Sequence, residues 1–340
     1  MRKRIRYPKE ACFISTYRCN AKCVMCGIWQ KRAGEGKEIG PSNLKKLPSC
    51  FKRINISGGE PSLRDDLPEI VEALRSKSRK IDISTNGYLT EKLVETGRKF
   101  PDTAFRISLE GMQELNDRLR GLKGGFEKAL ESIEELRAAG VGDIGLSIVI
   151  SDKNKNDLLK LYRMAVEMDL DLSSSVIHNS FYFNKFDNRI ENIEGTIIEV
   201  QKFIGELLRS KRKNIRLRVK DWGRAFIDYG IIKYIKGENR PIVCSAAKDF
   251  CFLDPYGNIM ACNGSDEPWI LGNIKNESFD RIWFGDKARE IREKVLQCRK
   301  KCWMVGSARP AMRSKPWIPV LWIIKNKIKL SIGRDILNEK

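Results

Sequence analysis

The chain has 340 residues, of which 41% are apolar and 32% charged, so it can fold a large domain with a smaller addition and is not disordered. Its formal net charge of +20 favours anionic partners, but acidic residues are interspersed with the basic ones, and we expect no specific nucleic-acid binding. Without an apolar run of roughly 20 residues or a signal peptide, it is expected to be cytoplasmic, where its ten cysteines suit metal or redox chemistry rather than disulfides.

Strand and helix patterns alternate through the first half of the chain. Predicted strands lie at 11–15, 53–57, 80–85, 105–109, 144–151 and 171–177. Predicted helices lie between them at 66–77, 90–99, 125–139 and 154–168. Repeated units of strand and helix predict a parallel sheet in an α/β fold.

Several predicted strands have one polar face, although buried parallel strands are usually apolar throughout. In the strand at 53–57, Asn55 and Ser57 alternate with isoleucines, and the next two strands alternate in the same way. Helices outside the sheet and a polar face inside predict a partial (β/α)6 TIM-like barrel lined for a polar ligand. The alternative is an open sheet whose polar face meets solvent.

Three regions follow the predicted barrel of residues 8–180. Residues 181–240 are predicted to form a connector and helices. Residues 241–308 are predicted to form a small cap, with a hairpin around Asp254 to Gly257 and one helix that ends near Cys298. In the tail, 309–340, seven basic and no acidic residues lie between Arg309 and Arg334. The tail is expected either to contact an anionic membrane peripherally or to wrap the barrel with its basic side outward.

Three cysteines near the N-terminus, Cys19, Cys23 and Cys26, lie within eight residues. Three thiolates suit zinc or an iron–sulfur cluster, but no further cysteine or histidine lies nearby to complete a zinc site. A four-iron cluster held by three cysteines would keep one iron open for a ligand that reacts.

This Cys-x3-Cys-x2-Cys spacing resembles the signature of the radical S-adenosylmethionine (radical SAM) superfamily. The resemblance implies a four-iron cluster whose open iron binds S-adenosylmethionine. It also implies reductive cleavage of this cofactor to a 5'-deoxyadenosyl radical, which abstracts hydrogen from a substrate inside a cavity that excludes water. An electron donor such as flavodoxin or ferredoxin is implied as a partner.

Further motifs that resemble the family follow predicted strand ends, where parallel α/β folds bind their ligands. They are GGEP at 58, STNG at 84, SLEG at 108 and LRG at 119. The resemblance implies that the cofactor is bound by Met25, Gly58, Gly59, Glu60, Ser84, Asn86, Ser108 and Arg120.

Individual roles follow from the same resemblance. Glu60 could accept from the cofactor ammonium, Ser84 and Asn86 could contact ribose or carboxylate, and Met25 could pack on the adenine. Arg120 is implied to lie near the cofactor carboxylate, with Arg118 as a rival for that role. Glu110 stands where the family more often has aspartate.

A second cysteine group resembles the start of SPASM and twitch extensions, through the Cys-x12-Gly-x4-Cys pattern of Cys244, Gly257 and Cys262. The metal ligands implied by this resemblance are Cys244, Cys262, Cys298 and Cys302, which would hold a second four-iron cluster. Cys251 is an alternative for one of the four, and zinc is an alternative metal. A full SPASM domain uses seven cysteines and this region has five, which favours the single-cluster twitch form.

These features predict a radical SAM enzyme acting on a polar substrate, such as a sugar, a nucleotide-linked compound or another small anionic molecule. The auxiliary cluster would assist electron transfer or substrate binding. A small molecule is favoured over a peptide, because leader-peptide maturases often carry a peptide-binding domain before the cysteine motif and only 18 residues precede Cys19. A peptide- or protein-modifying maturase is the alternative, and a zinc-containing nucleic-acid-binding protein is a remote one. His178 and Asn179 are candidates for substrate contact.

Overall fold

The computed structural model describes residues 5–31 and 38–334. Within these ranges the chain forms nine strands and twelve α-helices. The strands are β1 (Glu10–Ile14), β2 (Arg53–Ser57), β3 (Ile81–Thr85), β4 (Ala104–Ser108), β5 (Ile144–Ile150), β6 (Asp171–Val176), β7 (Phe250–Leu253), β8 (Asn258–Met260) and β9 (Ile270–Asn273). The helices are α1 (Pro41–Leu44), α2 (Leu67–Arg75), α3 (Thr90–Lys99), α4 (Gln113–Arg120), α5 (Gly125–Ala138), α6 (Leu158–Glu167), α7 (Ile193–Leu208), α8 (Ile215–Ile235), α9 (Phe279–Phe284), α10 (Asp286–Gln297), α11 (Val305–Ser314) and α12 (Trp317–Ser331).

All nine strands belong to one sheet, in the order β6-β5-β4-β3-β2-β1-β7-β8-β9. Strands β1 to β6 are parallel to their neighbours, and β7 adds to β1 in parallel, whereas β8 and β9 are antiparallel. The predicted partial barrel with a small C-terminal hairpin cap is therefore confirmed.

Successive side chains of each strand lie on opposite faces of the sheet, in two different environments. Ile54 and Ile56 of β2 are fully buried in the main apolar core, together with apolar residues of the surrounding helices. Asn55 and Ser57, on the other face, line a cavity inside the barrel. The alternative of a polar face open to solvent is therefore wrong, because the curved sheet encloses that face.

Two helical regions differ from expectation. The helix α4 was not predicted, because its sequence QELNDRLR has only two apolar residues. The single helix predicted to end near Cys298 is two helices, α9 and α10, because Gly285 takes an extended conformation between them (φ −71°, ψ 174°). Helix α10 nevertheless ends next to Cys298 as expected.

The tail forms α11 and α12, and α12 packs on α7 and α8. Trp322 stacks on Tyr229 of α8 with 4.9 Å between ring centroids, so the tail does wrap the body of the protein. Its outer side is apolar as well as basic, since Trp317, Leu321 and Ile328 are all more than half exposed. Contact with an anionic membrane stays a prediction. In the described ranges, no helix is long and apolar enough to cross a membrane.

Candidate active site

The N-terminal cysteines lie on a loop that leaves the carboxyl end of β1. Two backbone hydrogen bonds join this loop to the last turn of α4, from Lys22 N to Arg120 O (2.9 Å) and from Val24 N to Leu119 O (2.8 Å). On its other side, Gly27 N donates to Phe183 O at 2.7 Å. The loop is thus fixed from both sides by backbone contacts distant in sequence.

Cys19, Cys23 and Cys26 line one cavity of about 240 Å³, here called the cysteine-loop cavity. Burial raises the pKa of the Cys19 thiol to about 12 and that of Cys26 to about 11. Because a metal binds the thiolate, loading this site displaces protons from the thiols. Three convergent thiols in a half-buried loop fit a four-iron cluster.

The GGEP segment packs directly against the residues that precede Cys19. Gly59 N donates to Thr16 O and Glu60 N to Arg18 O, both at 2.8 Å. A Cβ on Gly59 would lie 2.0 Å from Arg18 O, and Gly58 has a φ of +151°, which favours glycine. The two glycines therefore allow a close backbone approach that positions the cysteine loop.

Glu60 is 1% exposed, and its carboxylate joins three segments. Its Oε1 accepts from Ser62 N (3.1 Å), Ser62 Oγ (2.7 Å) and Thr85 Oγ1 (2.7 Å). Its Oε2 accepts from Asn86 N at 2.7 Å. Only Oε2 has spare accepting capacity, so Glu60 is a framework residue whether or not it also meets an ammonium group.

Arg120 is the last residue of α4, and its side chain is buried beside the three thiols. Its Nη2 donates to Glu110 Oε1 at 3.1 Å, while Glu110 Oε2 accepts from Val149 N at 2.8 Å. The Nε atom is buried and has no hydrogen-bond partner among the described residues. Arg120 lines the cysteine-loop cavity, and a guanidinium with an unpaired donor fits the carboxylate of an amino-acid cofactor. Arg118 is absent from the residues that line this cavity.

The other predicted cofactor residues, Met25, Gly58, Gly59, Ser84, Asn86 and Ser108, also line the cysteine-loop cavity. Asn86 is held by its side chain, which donates to Asn20 Oδ1 at 2.7 Å and accepts from Tyr88 N at 3.0 Å. Ser84 Oγ donates to Asn55 Oδ1 (3.0 Å), and the hydroxyls of Ser108 and Ser147 are hydrogen-bonded to each other (3.1 Å). With Arg120, seven of the eight residues predicted to bind the cofactor line this cavity. Glu60 does not line it, but its carboxylate accepts from the backbone N–H of Asn86, which does.

The second group, Cys244, Cys262, Cys298 and Cys302, lines a separate cavity of about 70 Å³, here called the auxiliary cavity. Arg240 and Lys300 line it too, and Arg240 Nη2 donates to Lys300 O at 2.7 Å. The four thiolates would hold an iron–sulfur cluster, and the basic groups beside them would offset its negative charge. Burial raises the pKa of the Cys302 thiol to about 11, although Arg240 lowers it.

Cys251 does not join this group. It lies on β7 opposite Ala11 of β1, buried in the apolar core, and burial raises the pKa of its thiol.

Within residues 5–31 and 38–334, no three His, Cys, Asp or Glu side chains are grouped so as to hold a single metal ion.

A third cavity of about 300 Å³, the barrel cavity, lies between the other two. It shares Glu110, Arg120 and His178 with the cysteine-loop cavity. It shares Phe250, Phe252 and Met304 with the auxiliary cavity. The two cysteine groups therefore flank one interior space.

His178 lies where the barrel and cysteine-loop cavities meet. Its Nδ1 is 3.2 Å from Val176 O, and its Nε2 is buried without a hydrogen-bond partner in the described part of the chain. Burial lowers the pKa of His178, which favours the neutral imidazole. The sequence pointed to this residue only through its place after β6. It offered no signal for Arg309, which lines the same barrel cavity from α11.

Comparison with known proteins accounts for both cysteine groups. The profile of the radical SAM superfamily matches residues 13–165. The profile of SPASM, an iron–sulfur cluster-binding domain, matches residues 244–303. Four-iron clusters and S-adenosylmethionine are therefore the cofactors of this chain, and the prediction of an enzyme is confirmed.

Two curated relatives and one solved structure indicate the range of similar proteins. Mycofactocin maturase MftC of Mycolicibacterium smegmatis is 26% identical over 288 residues, 82% of this chain and 71% of the relative. Fe-coproporphyrin III synthase of Methanosarcina barkeri is 33% identical over 160 residues, 45% of this chain and 39% of the relative. SuiB of Streptococcus suis bound to precursor peptide SuiA shares the fold, with TM-score 0.58 and 16% identity, covering 91% of this chain and 73% of that one.

The expectation that a small molecule is favoured over a peptide is wrong. MftC, which matches most of this chain, is a maturase, and SuiB is solved with a precursor peptide. The expectation rested on the short segment before Cys19. The length of that segment does not determine what the barrel cavity accepts.

The first match covers the cysteine loop and strands β2 to β5, and the second covers the hairpin and helices around the auxiliary cavity. Each match coincides with a cavity lined by cysteines. The chain belongs to the radical SAM superfamily and carries a C-terminal SPASM-type iron–sulfur domain.

Proposed function

We propose that this protein is a maturase that modifies a peptide or protein by radical SAM chemistry. The observation that carries the proposal is the match to MftC, which spans 82% of the chain and therefore extends into both the barrel and the auxiliary domain. The interior geometry supports it, because a space lined by polar groups lies between the two cysteine groups.

Relatives in this family use the bound cluster and S-adenosylmethionine to supply a 5'-deoxyadenosyl radical, and we assign the same chemistry to the bound groups here. Cys19, Cys23 and Cys26 would hold the cluster. Arg120 would receive the cofactor carboxylate through its free Nε, while Glu110 keeps the guanidinium in place. A donor such as flavodoxin or ferredoxin remains the proposed electron source.

The wall of the barrel cavity suits a peptide backbone. Seven serines line it on five strands: Ser57, Ser84, Ser108, Ser147, Ser173, Ser174 and Ser175. A hydroxyl can donate or accept, so such a wall can pair with both the N–H and the C=O groups of a peptide. His178 Nε2 adds one unpaired polar atom where the cavity meets the cysteine loop.

We further propose that Cys244, Cys262, Cys298 and Cys302 hold the auxiliary cluster. The support is their common cavity, the basic side chains around it and its shared wall with the barrel cavity. A role in electron transfer or in substrate binding fits a position beside the substrate space. We also propose a cytoplasmic location, since the ten cysteines, all within the described residues, form no disulfides.

Turnover of peptides tests the proposal. The protein is reconstituted without oxygen and incubated with S-adenosylmethionine, dithionite and a library of synthetic peptides. We expect some peptides to raise 5'-deoxyadenosine formation and to change mass, and both effects to vanish in the Cys23→Ala variant. If the cofactor is cleaved but every peptide is recovered unchanged, the maturase proposal fails.

A further inference from the structure

Four charged residues form the end of the barrel cavity farthest from the cysteine loop, here called the floor. They are Glu10, Arg53, Arg106 and Arg309. Glu10 and Arg53 are the first residues of β1 and β2, Arg106 is the central residue of β4, and Arg309 enters from α11. The floor therefore has three positive charges and one negative charge.

Three of the four charges are already neutralised within the protein. Glu10 pairs with Arg313, and Arg53 pairs with Asp82. Arg106 Nη2 lies 2.8 Å from Asp143 Oδ1, and its Nη1 donates to Phe105 O at 2.9 Å. These side chains hold the floor together and have little capacity for a ligand.

Arg309 differs from them. Among the described residues it donates no hydrogen bond and forms no ion pair. Glu10 is near enough to raise the pKa of Arg309, but burial lowers that pKa more, and Glu10 is itself engaged by Arg313. A guanidinium stays protonated at physiological pH. A charge in a cavity wall without a partner is costly unless a ligand supplies the opposite charge.

We propose that Arg309 binds a carboxylate of the peptide substrate, and this inference rests on the proposed maturase function. The other polar groups of the cavity wall are mainly serine hydroxyls, which are neutral. The planar fork of a guanidinium matches a carboxylate through two parallel hydrogen bonds. The carboxylate is either an Asp or Glu side chain or the C-terminus of the peptide.

The depth of the cavity sets a spacing between this carboxylate and the reacting residue. Arg53 on the floor and Ser57 at the cysteine-loop cavity are both on β2, four residues apart. At about 3.3 Å per residue, the two levels are about 13 Å apart. An extended peptide anchored at Arg309 would thus present a residue about four positions away to the cysteine loop.

Binding of small probes tests the inference without the natural substrate. Two pairs differ only in the charge: N-acetyl-glutamate amide against N-acetyl-glutamine amide, and acetyl-tetraalanine with a free against an amidated C-terminus. Binding to the cluster-loaded protein is measured by calorimetry with S-adenosylmethionine present. We expect the acid of at least one pair to bind about tenfold or more tightly than its amide. The pair that discriminates identifies the source of the carboxylate.

Variants test whether Arg309 causes the preference for the acid over the amide. Arg309→Gln should abolish it, and Arg309→Lys should keep part of it, because the charge remains without the fork. Lys315→Gln, which removes an exposed charge just after the same helix, should retain the full preference. Iron content and thermal melting check that each variant is folded. If Arg309→Gln is not folded, Arg309→Lys replaces it in the comparison with wild type.

Two results would overturn the inference: equal affinity of wild type for acid and amide in both pairs, or an unchanged preference in the folded variant. Neither result depends on peptide turnover. Peptides modified without any role for Arg309 would remove this inference alone. Carboxylates bound through Arg309 in a protein that modifies no peptide would remove the maturase function alone.

Discussion

Replacement of Glu60 by glutamine separates two roles of this residue. Its carboxylate accepts four hydrogen bonds from Ser62, Thr85 and Asn86. Two of the donors are the backbone N–H groups of Ser62 and Asn86, one on each carboxylate oxygen. Glutamine has the same shape but only one oxygen. In either orientation of the amide, its NH2 group therefore faces a backbone N–H and leaves that donor buried without an acceptor.

The cost follows from these contacts. A hydrogen bond to a charged group contributes about 1.5–3 kcal/mol, and a buried donor without a partner costs about 1–3 kcal/mol. Because neutral glutamine also avoids the desolvation of a carboxylate, we expect a net loss of about 2–4 kcal/mol. At about 2.1 cal/mol/K per residue, 340 residues give an unfolding entropy of about 0.7 kcal/mol/K. The midpoint should therefore fall by about 3–6 °C.

Thermal melting and cofactor kinetics are measured together under anaerobic conditions. If Glu60 is part of the framework, Glu60→Gln should lower the midpoint and raise the KM for S-adenosylmethionine as well. If it only accepts from the cofactor ammonium, the KM should rise at an unchanged midpoint. Glu131→Gln, which alters an exposed pair with Lys128, is the matched control and should change neither. A Glu60→Gln midpoint within about 1 °C of wild type would refute the framework reasoning.

Three other changes test separate parts of the structure. Burial raises the pKa of Asp228 to about 7, so the folded state keeps a proton that the unfolded chain releases near pH 4. The free energy of unfolding therefore falls as the pH rises from about 4 to about 7, by as much as about 4 kcal/mol. Asp228→Asn should therefore melt higher than wild type at pH 8 but not at pH 4, and equal midpoints at pH 8 would contradict the shift. Gly59→Ala forces a Cβ against a backbone carbonyl and should lower iron content and abolish cofactor cleavage, whereas Gly142→Ala, which has open space, should match wild type. Cys302→Ala should lose roughly half of the iron, as one of two four-iron clusters, and Cys251→Ala none; iron analysis showing the reverse would reassign the auxiliary ligands.

The barrel could be predicted from the sequence because its signals are local. In β2, isoleucines alternate with polar residues, and GGEP ends the strand, so the predicted bounds equal the observed ones. The helix α4 gave no such signal, because it is mostly polar and is held by the cysteine loop that it contacts. The limits of the four predicted regions stay predictions, since the sheet runs without interruption from the barrel into the cap.

The candidate site was predictable where a motif fixes the chemistry and not where distant segments meet. Three closely spaced cysteines indicate a cluster in any fold. That Glu60 joins three segments follows only from the way β2 and β3 end side by side. Arg309 had no local signal at all, because the tail is far from the barrel in sequence and its basic residues look alike until one of them faces a cavity.

The parallel pairing of β7 with β1 explains how two cysteine groups far apart in sequence come to flank one space. Glu10 to Phe13 pair in register with Phe250 to Leu253. The loop of the first group leaves the carboxyl end of β1, and the second group surrounds the hairpin that β7 begins. Because Phe250 and Phe252 line both the barrel and auxiliary cavities, the same strand forms part of the wall of each. A shift of this strand would therefore alter both at once, which ties the shape of the barrel cavity to the spacing of the two cysteine groups.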